Sequence, residues 1–322
     1  MTPEQEQIKR EKLIQKFLTK KQRLSYSTLK NFTSPINLIN YKLKPYKKNS
    51  GMLFGSVCDV LALTPQDFDR EFFIAKKLPS EGNQIVFADA IISIGKTGEV
   101  TPEILEQEYN KAYKTGTYHK VYHGDEKTIG LEDYIDAVIR GKEVITQDIK
   151  DEAEIIVENL KNQKEVDDIF MELESVQKKL EWTDGGWKFL GFLDMYLDGH
   201  IIDLKFTKDA NPDKFEKDIN NLKYYLQSAM YCYAIKLLGI HDNPKYSILA
   251  YDKAGNYSLI EIDYGYIQYG IKEYKWLLQE LNKCVEQNAF DQSYGFFKKY
   301  TAYKPKWAKG FQLDEEPDTF EQ

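Results

Sequence analysis

The stretch HIIDLKFT, residues 200–207, alternates apolar and polar side chains as a β-strand does, and sets Asp203 two residues before Lys205. The period-two rule sends Ile202, Leu204 and Phe206 to one face, and Ile201, Asp203, Lys205 and Thr207 to the other. The first is a core face and the second is mixed. Alone, such a carboxylate and ammonium make a solvated ion pair of little consequence.

Asp194 changes that reading. The strand WKFLGFLDMYL precedes HIIDLKFT across a turn at Asp198 and Gly199, and an antiparallel hairpin there brings Asp194 opposite or diagonal to Asp203. Asp194 interrupts the apolar run of Phe192, Leu193 and Met195, where a half-buried carboxylate needs a partner or a metal. Two carboxylates at this separation repel each other unless they share a cation.

Working outward, VQKKLEW and a turn at TDGG complete a three-stranded meander. A helix over 214–238 follows, then the strands KYSILAYD and YSLIEID around a KAGN turn, then a long amphipathic helix ending near Asn288. Upstream segments are helical, with polar-faced peripheral helices expected over 101–175. The order predicts an α/β (α+β) fold with a central mixed sheet flanked by helices. The expected division is a basic helical segment over 1–22, one domain over 23–303 with a helical insertion at about 88–175, and a tail over 304–322 that is first basic and aromatic, then acidic.

Composition bounds the function. With 44 Lys and Arg against 51 Asp and Glu, the net charge of −7 argues against indiscriminate coating of nucleic acid but leaves room for one basic groove. Cys58, Cys232 and Cys284 are widely separated, which excludes a disulfide framework, a thiolate zinc site and an iron–sulfur cluster. No apolar run approaches the roughly 20 residues of a membrane span and the N-terminus is charged, so a cytoplasmic protein with no membrane partner is expected.

Three further groups stand out. Asp59 lies in the apolar helix MLFGSVCDVLAL, one turn after Gly55, and is costly there unless paired or metal-bound. On the 214–238 helix, Leu222, Leu226, Ala229, Met230, Tyr233 and Leu237 form an apolar stripe, with Tyr224, Gln227 and Tyr231 on the stripe beside it. The segment FFKKYTAYKPKWAKGF interleaves Lys298, Lys299, Lys304 and Lys306 with Tyr300 and Trp307. It reads equally as a nucleic-acid grip or as a solvated segment packing its aromatics on the body.

Taken in order, SYSTLKNFTSP, MLFGSVCDVLALTPQDFD, GFLD, IIDLKFT and QSAMY resemble the motifs of the PD-(D/E)XK nuclease superfamily, and within it the RecB-type exonucleases and the phage and prophage RecE (exonuclease VIII) group. The resemblance spans about residues 23–235. It departs in carrying Asp59 where RecB-type members have His, and in lacking the Pro before Asp194.

The resemblance implies a restriction-endonuclease-like fold and a metal-dependent DNA exonuclease acting at linear duplex ends. The implied metal ligands are Asp59, Asp194, Asp203 and the Leu204 main-chain carbonyl, an all-oxygen set suited to Mg²⁺, with Mn²⁺ as substitute. Lys205 is implied to orient or deprotonate the attacking water, and Gln227, Tyr231 and, less directly, Tyr224 to position Lys205 or a phosphate oxygen. A single-strand annealing recombination protein and a homo-oligomer are implied partners. A structure-specific endonuclease of the same fold, or a catalytically silent DNA end-binding module, are the alternatives.

Overall fold

The computed structural model describes residues 3–44, 48–80 and 82–298. It opens with helices α1 (Pro3–Leu18), α2 (Tyr26–Lys30), α3 (Pro35–Leu43) and α4 (Ser50–Leu63). Ser25, Ser34 and Asn49 cap the last three through side-chain oxygens that accept from backbone N–H groups of the first turn. Next come α5 (Phe68–Glu71), β1 (Phe72–Ile74), α6 (Gly82–Gly95), α7 (Pro102–Ala112), α8 (Tyr118–Tyr122), β2 (Gly124–Asp125), β3 (Thr128–Ile129), α9 (Glu132–Ile139) and β4 (Glu143–Ile145). Helices α10 (Gln147–Lys161) and α11 (Lys164–Glu172) lead into the main sheet.

That sheet is built from β5 (Ser175–Asp184), β6 (Trp187–Leu197), β7 (His200–Phe206), β8 (Lys245–Tyr251) and β9 (Tyr257–Glu261), ordered as in the sequence. Every pairing is antiparallel except β7 with β8, which are parallel, so the sheet is mixed. A parallel pair needs a crossover. Here it consists of α12 (Pro212–Asn221) and α13 (Tyr224–Leu237), and α14 (Tyr264–Gln287) follows β9.

Each face of the sheet carries a core. One joins Trp182, Phe189, Ile201, Tyr246 and Ile248 to α1, α2, α3, α12, α13 and α14. The other joins Ile202, Leu204, Leu249 and Tyr251 to α4 and α10. A separate small core ties α6, α7, α8 and α9 together through Phe87, Ile91, Tyr109 and Ile135.

Three expectations need correction. The helix over 214–238 is two helices, because Lys223 takes a left-handed backbone between them. The apolar stripe proposed for it therefore fails at its ends: Leu222 and Leu237 are exposed, while α13 buries ten residues because it is sandwiched between the sheet and α14. The second face of β7 is mixed as expected, but α13 covers it at Asp203, which is only 2% exposed, while Lys205 and Thr207 stay partly exposed. Finally, α10 is not peripheral, since Ala153, Ile156, Val157 and Leu160 pack into the core with α4.

Candidate active site

The hairpin of β6 and β7 pairs Met195 with Ile202 and Tyr196 with Ile201, which sets Asp194 level with Asp203 as the spacing predicts. Asp194 is locked from two sides. Its Oδ2 accepts from the Leu204 N–H at 3.0 Å and its Oδ1 accepts from Gln177 Nε2 at 3.0 Å. Asp203 Oδ1 accepts from Gln227 Nε2 at 2.9 Å, and Asp203 Oδ2 ion-pairs with Lys205. The Lys205 ammonium also reaches the Leu204 carbonyl oxygen at 3.4 Å and lies 5.5 Å from the centre of the Tyr224 ring.

Asp59 comes from the other face of the sheet, on α4. Its Oδ1 is buried and has no hydrogen-bond partner among the described residues. Burial holds its carboxyl well above the ordinary range, and repulsion from Asp194 and Asp203 adds to the rise. The Asp194 carboxyl is pushed up to about 6 by burial and by the charge of Asp203. For Lys205, burial alone would weaken proton binding, but Asp203 and Asp194 outweigh it and the net shift is upward. Three buried acids within one another's field, opposed by Lys205 and, at Asp59, by Lys48 as well, make a site short of positive charge.

That shortage bears on a metal. Asp59, Asp194, Asp203 and the Leu204 carbonyl are hard oxygen donors, and the orphaned Asp59 oxygen is the kind of atom a cation would satisfy. Among the described residues no three His, Cys, Asp or Glu side chains already converge as a cage. The donor chemistry fits Mg²⁺ or Mn²⁺, with Lys205 standing in the same electrostatic basin.

The remaining sequence candidates divide. Gln227 is buried and its amide donates to Asp203. Tyr231 is buried against Gly191, where an added methyl group would lie 2.5 Å from its ring, and its hydroxyl is kept protonated by burial and by Asp203. Lys298 is described and exposed, while Lys299, Tyr300, Lys304, Lys306 and Trp307 lie outside the described residues.

Sequence reasoning missed Gln177, whose strand carries no pattern that marks one residue as special. It also missed Tyr26, which donates to the Leu222 carbonyl and lies in the field of Lys205 and Asp203. A third omission is Lys30, where burial and then the nearby Lys205 and Lys223 weaken proton binding.

The site opens into a cleft of about 660 Å³ lined by Gly51, Gly55, Asp59, Leu204, Lys205, Thr207, Lys208 and Lys253. Lys253 is fixed by both oxygens of Glu152, at 2.8 and 2.7 Å, and lies 4.3 Å from the centre of the Phe54 ring. Lys208 is exposed and makes no ion pair among the described residues.

A mixed sheet carrying two neighbouring carboxylates beneath a lysine that lines an open cleft with Asp59 defines an α/β domain of the PD-(D/E)XK nuclease type, the fold of hydrolases acting on nucleic acids. The chain belongs to the family described as "PDDEXK-like domain of unknown function (DUF3799)", whose model matches residues 25–295. Among solved structures it is similar to a "Putative exonuclease" from Eubacterium rectale, with a TM-score of 0.50, 14% identity and 84% of each chain covered, a likeness that supports the fold. No curated protein matches the chain. Among the described residues no helix is long and apolar enough to cross a membrane.

Proposed function

We propose that the chain is a divalent-metal-dependent deoxyribonuclease that hydrolyses phosphodiester bonds from the ends of linear duplex DNA. The observation that carries this reading is the pair of neighbouring carboxylates, Asp194 and Asp203, each oriented by a glutamine amide, with Asp203 paired to Lys205, which lines the cleft together with Asp59. The exonuclease preference and a role in resection, alongside a single-strand annealing protein or as a homo-oligomer, rest on the motif resemblance.

Asp59, Asp194, Asp203 and the Leu204 carbonyl would hold Mg²⁺, which when bound supplies Lewis-acid stabilisation of phosphate charge and a more acidic water. The chain's own residues do the rest. Lys205, paired with Asp203 and lining the cleft, supplies the positive charge that meets a phosphoryl oxygen or orients the attacking water. The Gln177 and Gln227 amides orient the carboxylates without neutralising them. Tyr224 flanks the Lys205 ammonium, with its ring centre 5.5 Å away. Lys208 lines the cleft and makes no ion pair among the described residues, and it would meet a backbone phosphate there.

The test is to incubate the protein with linear duplex, single-stranded and closed circular DNA, in Mg²⁺ and in EDTA, beside Lys205→Ala. Loss of linear duplex only in Mg²⁺ and only with wild type is expected. Survival of linear DNA, or equal digestion by Lys205→Ala, would overturn the reading. Nicking of closed circles would convert it to an endonuclease.

A further inference from the structure

Five non-glycine residues among those described hold a left-handed backbone: Lys20, Gln177, Asp198, Lys223 and Asn288. Lys20 and Asn288 close helices, Lys223 separates two, and Asp198 makes the β6–β7 turn, all places where this conformation is ordinary. Gln177 alone lies inside a strand, at φ 48°, where an L-residue is strained and a left-handed backbone has no turn to make.

The strain coincides with a change in the sheet. Leu180 and Trp182 pack in the core shared with α13, yet Val176, of the same parity, packs against the core shared with α4. On the partner strand Leu193 belongs to the first core, Met195 to the second and Tyr196 to the first again. Strict alternation forbids both sequences of faces. The register is otherwise continuous, Val176 with Met195 and Lys178 with Leu193, so the switch falls at Gln177 and Asp194. There the Gln177 amide donates to Asp194 Oδ1 while Oδ2 takes the Leu204 N–H.

We infer that Gln177 is a positioning residue for Asp194: its left-handed backbone delivers the amide, and the amide holds that carboxylate at the angle at which it shares a divalent cation with Asp203. The inference rests on the metal-dependent nuclease reading. An amide suits the task because it is a neutral donor. It fixes one lone pair of Oδ1 and leaves the carboxylate's charge and its other lone pairs available to a cation. With Gln227 on Asp203, the two carboxylates are then held by one amide each, Gln177 from the edge strand β5 and Gln227 from α13.

The test compares Gln177→Ala with Gln177→Gly in the full-length chain. Both lack the amide, but only glycine tolerates the left-handed backbone without strain. Mn²⁺ binding to the metal-free protein is measured by calorimetry, alongside the thermal midpoint and the Mg²⁺ needed for half-maximal digestion of linear DNA. Both variants are expected to bind Mn²⁺ about 10–100-fold more weakly and to need correspondingly more Mg²⁺. The glycine variant should melt roughly 1–3 °C above the alanine variant. The loss of affinity would then follow the amide and not the stability.

Wild-type affinity in both variants would overturn the inference. So would wild-type affinity in Gln177→Gly alone, because the backbone rather than the amide would then be what matters. If Gln177→Ala does not fold, Gln177→Gly carries the comparison. A wild type that binds Mn²⁺ yet cuts no DNA would sink the nuclease reading and leave this inference standing on the binding data. A wild type that binds no cation would sink both.

Discussion

Gln227 Nε2 lies 2.9 Å from Asp203 Oδ1, and both residues are more than nine-tenths buried, at 8% and 2% exposure. The bond fastens the crossover helix α13 to the central strand β7 in a place water does not reach. Removing one partner of a buried bond strands the other, which costs about 1–3 kcal/mol and more where the stranded group is charged. Gln227→Ala is therefore expected to destabilise the metal-free protein by at least that amount in urea unfolding, and to weaken Mn²⁺ binding about 10–100-fold. Gln227→Glu should behave worse at neutral pH than at pH 5, because a second carboxylate then faces Asp203.

The raised carboxyl of Asp194 makes a pH prediction with a definite sign. Its folded-state pKa is pushed from 3.8 up to about 6, so the folded protein holds this proton more tightly than the unfolded chain does. The stabilisation is complete below about pH 3.8 and is lost as pH rises through about 6. Its size is on the order of 2–3 kcal/mol. Unfolding of the metal-free protein measured from pH 4 to 7 should decline by that much more in wild type than in Asp194→Asn. Saturating Mg²⁺ should flatten the wild-type decline, since the cation takes the place of the proton. Equal slopes for the two proteins would refute the assignment.

Much of this site was legible in the sequence because a strand's parity is rigid. Once IIDLKF is read as a strand, the relation of Asp203 to Lys205 follows, and a two-residue DG turn fixes Asp194 level with Asp203. Asp59 was visible as a charge out of place in an apolar helix. The left-handed residues were not visible. Lys223 splits a segment whose apolar spacing reads as one continuous helix, and Gln177 reverses the faces of a strand whose residues give no breaker signal. Both coincide with tertiary contacts that local sequence does not reveal: Lys223 ion-pairs with Glu273 at 2.6 Å, and Gln177 donates to Asp194. The burial of the second face of β7 at Asp203 was missed for a related reason. A half-polar strand reads as solvated until a helix bearing its hydrogen-bond partners is laid over it.

Lys205 and Asp203 form an ion pair in which Asp203 is almost wholly enclosed, with side-chain exposures of 22% and 4%. Breaking a buried pair by deleting one member leaves an uncompensated charge, at a cost of about 3–5 kcal/mol. Lys205→Ala should therefore be markedly less stable than wild type without metal at pH 7, and a divalent cation should recover most of the loss. The check is the thermal midpoint with and without Mn²⁺. A Lys205→Ala protein as stable as wild type in EDTA would mean that the Asp203 carboxylate is solvated or protonated.

Lys208 is exposed at the cleft and makes no ion pair among the described residues, whereas Lys253 across from it is committed to Glu152. A lysine that contacts a backbone phosphate contributes about one released counterion to binding. Lys208→Glu is expected to weaken DNA binding uniformly across sequences and to reduce the slope of log K against log salt by about one. Mn²⁺ affinity should stay at the wild-type value because Lys208 touches none of the carboxylates. Fluorescence anisotropy with a labelled linear duplex between 50 and 200 mM salt would show it, and an unchanged salt slope would remove Lys208 from the substrate path.

The crossing of α13 and α14 supplies a last prediction, one that reaches the site through packing alone. Gly270 sits where a Cβ would lie 2.7 Å from Ala229 Cβ and 2.7 Å from the Tyr225 carbonyl oxygen, closer than side chains tolerate. The obstacle on one side is backbone, so relief requires α13 to move away from α14. Ala229 is two residues from Gln227, and α13 has the sheet on its other side, so that displacement is directed at the Gln227–Asp203 bond. Gly270→Ala is expected to cost about 1–3 kcal/mol in unfolding, as overpacking does. It should also lower Mn²⁺ affinity although Gly270 contacts no ligand. Gly82→Ala on α6, where the added carbon would meet nothing within 4 Å, is the control, expected to leave Mn²⁺ affinity unchanged. Loss of stability in Gly270→Ala with wild-type cation affinity would show that the carboxylate geometry is set within the sheet and does not depend on how closely α13 is pressed against it.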